Sequence, residues 1–126
     1  MEVAIRTESE VILLLFSGLT TTFLKQFIFG LWLTSPLLLS FAAAITVLGQ
    51  VVGKKEGWSP FESFYWSFIT ATTVGYGDIR PTKRIPRVLA IFIGLLGLTF
   101  TGILIAVAVH AATLALAAHD TAITVK

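Results

Sequence analysis

Residues 73–77 read Thr-Val-Gly-Tyr-Gly, and this stretch decides how the rest of the chain is organised. Its two glycines occupy alternate positions, and glycine adopts backbone angles that are closed to residues with a Cβ atom. This spacing lets a short extended segment turn successive carbonyl groups to the same side. Taken alone, the pattern is also typical of a turn before a helix or of a weak phosphate loop. The surrounding sequence decides between these interpretations.

The composition is that of a membrane protein with a single domain. Of the 126 residues, 56% are hydrophobic and 13% are charged, whereas roughly 25% are charged in a typical soluble domain. The absence of cysteine excludes disulfides and thiolate metal sites. Two histidines are too few for a histidine metal cluster within one chain.

Residues 60–72, directly before the glycine stretch, predict a helix too short to cross a membrane. Ser59 is a good N-cap, Pro60 suits the first helical position, and Glu62 completes a capping box. The helix would be about 20 Å long, and it is too apolar to lie in water. Non-helical backbone after such a half-helix is tolerated at membrane depth only when it is buried in protein or lines a water-filled cavity. The setting therefore favours a cavity-lining segment over a plain turn.

Two other segments, 31–53 and 88–118, are apolar runs long enough to cross a membrane as helices. The first would be about 34 Å long, and Trp32 is placed like an interfacial anchor. The second would be about 45 Å long, so it must tilt or protrude. Residues 119–126 are predicted to form a short tail in the cytoplasm.

The N-terminal residues 1–30 predict an additional helix at the cytoplasmic face of the membrane. Its apolar run is short for a span and is followed by polar residues, with a possible break near Gly18. We expect this helix to be interfacial and to lead into the first span. The alternative is a separate transmembrane helix, which Lys25 disfavours because it would fall within the apolar region.

The order of span, short helix, T-V-G-Y-G-D and glycine-bearing span resembles the two-transmembrane bacterial potassium channels over residues 31–118. In those channels this same pentapeptide is the selectivity filter, whose carbonyl oxygens replace the water shell of K⁺. The resemblance implies an all-α membrane fold, in which an outer helix (31–53) and an inner helix (88–118) flank a re-entrant pore helix (60–72) and a filter (73–77). It also implies a homotetramer in the inner (plasma) membrane of the cell, in contact with lipids and with both termini cytoplasmic. Passive conduction has no covalent step, so we expect neither an enzyme, a cofactor nor a nucleic-acid partner.

The resemblance assigns roles to the residues of the filter and its surroundings. The ion-binding residues are Thr73, Val74, Gly75, Tyr76 and Gly77, with K⁺ at the first four. Four further residues are expected to support the filter: Trp66, Tyr65, Thr72 and Asp78. For the two aromatic residues the alternative is ordinary packing in the membrane.

The same resemblance places a hinge at Gly97, twenty residues after Gly77. The alternative for Gly97 is a small residue that permits helix packing, since glycine is frequent in membrane helices. Branched apolar residues one turn apart can form a constriction that closes by dewetting. The residues expected to line the cavity and the inner gate are Leu98, Thr101, Ile105, Val109 and Thr113. His110 lies close by and could sense pH, although an ordinary polar residue at a helix end is commoner.

The expected outer mouth is rich in basic residues. The six cations there are Lys54, Lys55, Arg80, Lys83, Arg84 and Arg87, against three acids, Glu56, Glu62 and Asp78. Some of these charges are expected to pair, for example Arg87 with Asp78. This balance opposes the positive-inside tendency and does not steer cations toward the pore.

Two alternative functions stay open at the level of sequence. A non-selective cation channel would have a similar architecture, but such relatives usually replace the residue at the Tyr76 position. The pore subunit of a potassium uptake transporter would usually carry four linked repeats with degraded filters, whereas this chain has one intact copy.

Overall fold

The computed structural model describes residues 1–124, which form three helices and no strand. Helix α1 spans Glu2–Glu56, α2 spans Pro60–Ala71, and α3 spans Arg84–Thr124. Helices α1 and α3 contain segments long and apolar enough to cross a membrane, within Glu2–Glu56 and Arg84–Ala122. The all-α class with two long apolar helices and a short helix between them is confirmed.

Helix α1 is continuous from Glu2 to Glu56, so the break that the sequence suggested near Gly18 is not present. The division into an interfacial helix within 1–30 and an outer helix over 31–53 stays a prediction. The polar segment after Phe16 does not interrupt the helix because its hydroxyl groups bond within it. Thr20 donates to the Phe16 carbonyl at 2.8 Å, and Thr22 donates to the Gly18 carbonyl at 2.9 Å. Such back-bonding to the preceding turn satisfies a polar side chain without ending a helix. The helix also passes through Pro36.

Helix α2 begins as the sequence predicts and ends one residue earlier. The Glu62 N–H donates to the Ser59 hydroxyl at 3.2 Å, and the Ser59 N–H donates to the Glu62 carboxylate at 2.8 Å. These two bonds form the capping box, and Pro60 occupies the first helical turn. The last helical residue is Ala71, so Thr72 is the C-cap and not part of the helix.

Helix α3 exceeds its predicted bounds of 88–118 at both ends. It starts at Arg84, because Pro86 falls in the first turn, where a missing backbone N–H costs nothing. The predicted tail over 119–126 is helical as far as Thr124, and its last two residues lie outside the described part of the chain. Alanine is the strongest helix former, and the alanine-rich sequence before the tail favours continuation.

The described residues fall into two compact units. One unit combines residues 1–33 with the part of α3 from Ile105 onward. In it α3 buries Ala111 and Ala115, and the Val107 side chain lies where a Cβ atom on Gly30 would meet it at 2.7 Å. Small residues thus let the helices approach closely, as is common for helices in lipid.

The other unit, Thr34–Leu104, contains the end of α1, all of α2, the glycine stretch and the start of α3. Its buried core consists of Ile45, Val52, Trp66, Ala71 and Ile93.

The short helix α2 packs against α1 through serine–glycine contacts within this unit. Ser63 and Ser67 are buried, and each would collide with a Cβ atom on the facing glycine, Gly53 or Gly49. The Ser63 hydroxyl donates to the Ser59 carbonyl, and the Ser67 hydroxyl donates to the Phe64 carbonyl, each at 2.8 Å. Because both hydroxyls are satisfied, this close packing carries no penalty for a buried unpaired polar group.

Candidate functional site

The sign of the backbone angle φ alternates along residues 73–77, the glycine stretch. Thr73, Gly75 and Gly77 have positive φ values of 63°, 50° and 78°. Glycine adopts this region freely, but a β-branched residue such as Thr73 does so only at a cost of about 1–3 kcal/mol. The sequence predicted the alternation from its two glycines, and the structure extends it to Thr73. A backbone that repeats every two residues is what a column of similarly directed carbonyl groups requires.

The first half of this stretch is tied to the end of α2. The Thr73 N–H donates to the Thr70 carbonyl at 3.1 Å, and the Gly75 N–H donates to the Ile69 carbonyl at 3.0 Å. Thr72 donates its N–H and its hydroxyl to the Phe68 carbonyl, at 2.9 Å and 2.8 Å. The last carbonyls of a helix have no partner within the helix. Here several of them hold the glycine stretch in place, so Thr72 joins the two segments.

The far end of the stretch is held by a hydrogen bond between Tyr65 and Asp78, two of the four residues expected to support the filter. The Tyr65 hydroxyl donates to the Asp78 carboxylate at 3.1 Å, across thirteen residues of sequence. Trp66 lies elsewhere, buried in the core and packed edge-on against Trp58 with ring centroids 5.3 Å apart. Tyr65 thus contacts the end of the stretch directly, whereas Trp66 packs in the core of this unit. A bracing role for Trp66 stays a prediction.

The side chains of the stretch itself point out of the protomer. Val74 and Tyr76 are 51% and 72% exposed. Such large apolar and aromatic side chains are not expected to face water beside a membrane segment. They are therefore available for contact with other chains.

Gly97 of α3 lies against the end of α2. A Cβ atom added at this position would overlap the carbonyl group of Ala71. Glycine is thus required for the packing of α3 on α2, whatever its part in bending α3. The hinge stays a prediction, and the structure supplies an independent reason for glycine.

The predicted cavity and gate residues are exposed on α3. In the unit of residues 34–104 these are Leu98 and Thr101, and in the other unit they are Ile105, Val109 and Thr113. The Thr113 hydroxyl is bonded back to the Val109 carbonyl at 2.9 Å. Because these side chains are exposed, they are free to face an aqueous path. Their roles as cavity and gate residues stay predictions.

One contact near the site was missed by the sequence analysis. The Glu56 carboxylate, at the end of α1, accepts bonds from the Thr82 N–H at 3.0 Å, the Thr82 hydroxyl at 2.8 Å and the Lys83 N–H at 2.9 Å. This carboxylate therefore caps the start of α3 and fixes the loop that follows Asp78. No local pattern could have revealed it, because the partners lie 26 and 27 residues apart in sequence.

Among residues 1–124, the basic residues near the loop form no ion pair with an acid within 4.0 Å. Within residues 1–124 the single ion pair is Arg6–Glu10, at 3.9 Å. The expected pair of Arg87 and Asp78 is wrong for this protomer, because Arg87 donates its Nε–H to the Pro81 carbonyl at 3.3 Å. Glu62 bonds to Ser59, and the backbone N–H of Ser59 lowers the pKa of the Glu62 carboxyl from its usual value.

Comparison with known proteins identifies a protein family that this chain matches. A family model described as "Ion channel" matches residues 11–113. The TWiK family of potassium channels protein 7 of Caenorhabditis elegans is 47% identical over 53 residues, covering 42% of this chain and 10% of that protein. No solved structure matches the chain.

Two further relatives cover a larger share of the chain. The human potassium voltage-gated channel subfamily KQT member 4 is 38% identical over 69 residues, covering 55% of this chain and 10% of that protein. The putative potassium channel protein YugO of Bacillus subtilis is 34% identical over 80 residues, covering 58% of this chain and 24% of that protein. The chain therefore spans between a tenth and a quarter of the length of these three curated relatives.

Proposed function

The chain belongs to the ion channel family whose model covers residues 11–113, and from this premise we propose that it is a potassium-selective channel. The observation that carries the proposal is the left-handed backbone at Thr73, Gly75 and Gly77, held between α2 and the Tyr65–Asp78 hydrogen bond. The names of the three relatives described above, each of which contains "potassium", support the choice of ion.

Conduction would depend on the backbone of the filter, residues 73–77. Carbonyl oxygens of Thr73, Val74, Gly75 and Tyr76 would replace the hydration shell of K⁺, and sodium would fit this arrangement less well. Helix α2 ends beside the filter, and the partial negative charge of its C-terminus favours a cation there. The bonds from Thr73 and Gly75 to α2 carbonyls fix the filter relative to this helix end.

A single chain supplies one copy of the filter, so the pore requires several chains. We infer a homotetramer, in which four copies surround an axis. The exposed side chains of Val74 and Tyr76 support this inference, because contact with neighbouring copies would cover them. The exposed face with Leu98 and Thr101 would line the cavity below the filter.

We also propose an orientation in the membrane, in which both candidate spans cross it. Two crossings bring both termini to the same side, which we assign to the cytoplasm, and the filter lies toward the outer side of the inner (plasma) membrane. On this assignment the loop after Asp78, with its basic residues, faces outward.

A flux experiment on two glycine variants tests the proposal. Purified protein in liposomes loaded with K⁺ should release K⁺ when a counter-ion path is supplied. Gly77→Ala should abolish this release, because an alanine is strained at a φ of 78° although there is open space around the residue. Gly18→Ala is the matched control, since Gly18 also has open space but lies within helix α1.

The assembly is measured in the same samples. The expected result is release by the wild type and Gly18→Ala, no release by Gly77→Ala, and the mass of a tetramer for all three. Equal release by Gly77→Ala and the wild type would contradict a filter at residues 73–77. A folded wild-type protein that releases no K⁺ would contradict the function.

A further inference from the structure

One face of the short helix α2 carries three small residues spaced four positions apart. Ser63, Ser67 and Ala71 are buried, with exposed fractions of 1%, 0% and 3%. Residues four apart lie on the same face of a helix, one turn above the other. Each of the three lies against a glycine of a neighbouring helix, and we call this face the small-residue stripe of α2.

The first two contacts of the stripe are with glycines of α1. A Cβ atom added to Gly53 would overlap the Ser63 hydroxyl and lie 2.6 Å from the Ser63 Cβ atom. A Cβ atom added to Gly49 would overlap the Ser67 Cβ atom and lie 2.7 Å from its hydroxyl oxygen. Non-bonded atoms pack at about 3.5–4.0 Å, so a side chain at either glycine would force α2 away from α1.

The two ends of α2 are held as well. At its last residue, the Ala71 carbonyl group occupies the space of a Cβ atom on Gly97 of α3. At its first turn, the Pro60 carbonyl accepts a hydrogen bond from the side-chain amide of Gln50 at 2.9 Å. Any shift of α2 along its axis would therefore break this bond and move the serines off their glycines. These contacts fix the axial position of α2.

The position of α2 is passed on to the glycine stretch through two hydrogen bonds. The Thr70 carbonyl accepts the Thr73 N–H at 3.1 Å. The Ile69 carbonyl accepts the Gly75 N–H at 3.0 Å. Both acceptors lie within one turn of Ser67, and a helix is stiff over one turn because backbone hydrogen bonds link successive turns. A displacement at the stripe should therefore move the backbone of the stretch.

We propose that Gly49, Gln50 and Gly53 are positioning residues for the filter, which hold α2 at the level that ion selection requires. The inference rests on the proposed filter at residues 73–77. Selectivity has been ascribed to the size of the ion cavity or to the field of the carbonyl dipoles, and both depend on where the carbonyl groups lie. The alternative is that these contacts only stabilise the fold. Channels that still conduct would then keep the wild-type selectivity.

Reversal potentials of purified channels in planar bilayers, with K⁺ on one side and Na⁺ on the other, test the inference. The permeability ratio that they give does not depend on how many channels have folded. Gly53→Ala places a methyl group against Ser63, and Gly53→Ala/Ser63→Gly removes the side chain that the methyl group meets. In the double variant the added Cβ atom would lie 3.6 Å from the Cα atom of residue 63, which is an ordinary packing distance.

Gly30→Ala is the matched control for a loss of stability. A Cβ atom on Gly30 would lie 2.7 Å from the Val107 Cγ1 atom. This variant therefore crowds α1 against α3 in the compact unit that does not contain the filter. It should lower the midpoint of thermal unfolding and leave the permeability ratio unchanged.

We expect Gly53→Ala to lower the K⁺/Na⁺ permeability ratio roughly tenfold, because a methyl group forced into a packed contact shifts the backbone around it. The double variant should recover most of the wild-type ratio. Gln50→Met removes the bond to Pro60 without adding a clash, and it should lower the ratio by a smaller factor. If Gly53→Ala does not fold, Gln50→Met decides the question.

The failure of this inference is distinguishable from the failure of the proposed function. The wild-type ratio in Gln50→Met, and in Gly53→Ala if it folds, would overturn the inference and leave the proposed filter intact. An equal fall of the ratio in Gly30→Ala and Gly53→Ala would also overturn it, because any loss of packing would then alter selectivity. A wild type that conducts both ions equally would contradict the proposed filter and this inference with it.

Discussion

Gly97 of α3 lies so close to Ala71, the last residue of α2, that no side chain could be placed between them. The Ala71 carbonyl group occupies the space that a Cβ atom on Gly97 would take. This contact sets the distance between α3 and the end of α2 from which the filter starts. Gly97 therefore affects the support of the filter as well as any bending of α3.

Substitution of Gly97 by alanine is expected to destabilise the fold. Forcing a methyl group into a packed contact typically costs about 1–3 kcal/mol, which should lower the midpoint of thermal unfolding. The matched control is Gly94→Ala on the same helix, where a Cβ atom would meet nothing within 4 Å. Alanine there should be neutral or stabilise the helix by up to about 1 kcal/mol.

The same pair of variants separates packing from hinge motion. If Gly97 acts only as a hinge, Gly97→Ala should change the open probability and leave the unfolding midpoint unchanged. An unfolding midpoint equal to that of Gly94→Ala would contradict the packing role.

Substitution of Glu56 by alanine is expected to loosen the loop after the filter. The carboxylate accepts three bonds from Thr82 and Lys83, and alanine leaves their N–H groups without this partner. Amide hydrogen exchange at Thr82 and Lys83 should become faster, since exchange follows local opening. Glu8→Ala in the first turns of α1 is a control that leaves these contacts intact. Unchanged exchange at both amides in Glu56→Ala would show that the cap does not hold the loop.

The Glu62 carboxylate is expected to make stability depend on pH in acid solution. Its pKa in the folded protein is lowered from 4.5, first by the backbone N–H of Ser59. A lowered folded pKa contributes stability that is present above the unfolded pKa and is lost as the pH falls through the folded value. The stability difference between the wild type and Glu62→Gln should therefore be largest near neutral pH and vanish in acid. A difference that is constant across this range would contradict a contribution from the charge.

The sequence predicted the short helix α2 well because its signals are local. Ser59, Pro60 and Glu62 act within one turn, and the structure shows the bonds that they predict. The bounds of α1 and α3 were less predictable. Gly18 and the threonines after it are individually weak helix breakers. The hydroxyls of Thr20 and Thr22 donate to carbonyls of the preceding turn, so the helix continues through them.

The site could be predicted from the sequence where it depends on the backbone conformation of glycine residues. Glycines at positions 75 and 77 indicate a left-handed backbone, and the structure has it there. The positive φ of Thr73 could not be predicted, because a β-branched residue opposes it. Contacts between distant residues, such as Glu56 with Thr82 and Gly97 with Ala71, depend on how the helices pack and leave no local pattern.

The central claim is that residues 73–77 select potassium over sodium, and the reversal potential in mixed solutions tests it most directly. Purified protein in a planar bilayer should be measured with K⁺ on one side and Na⁺ on the other, at equal concentrations. The account predicts a reversal potential displaced strongly toward the potassium equilibrium potential. A reversal potential near zero, from a channel that conducts both ions equally, would contradict it.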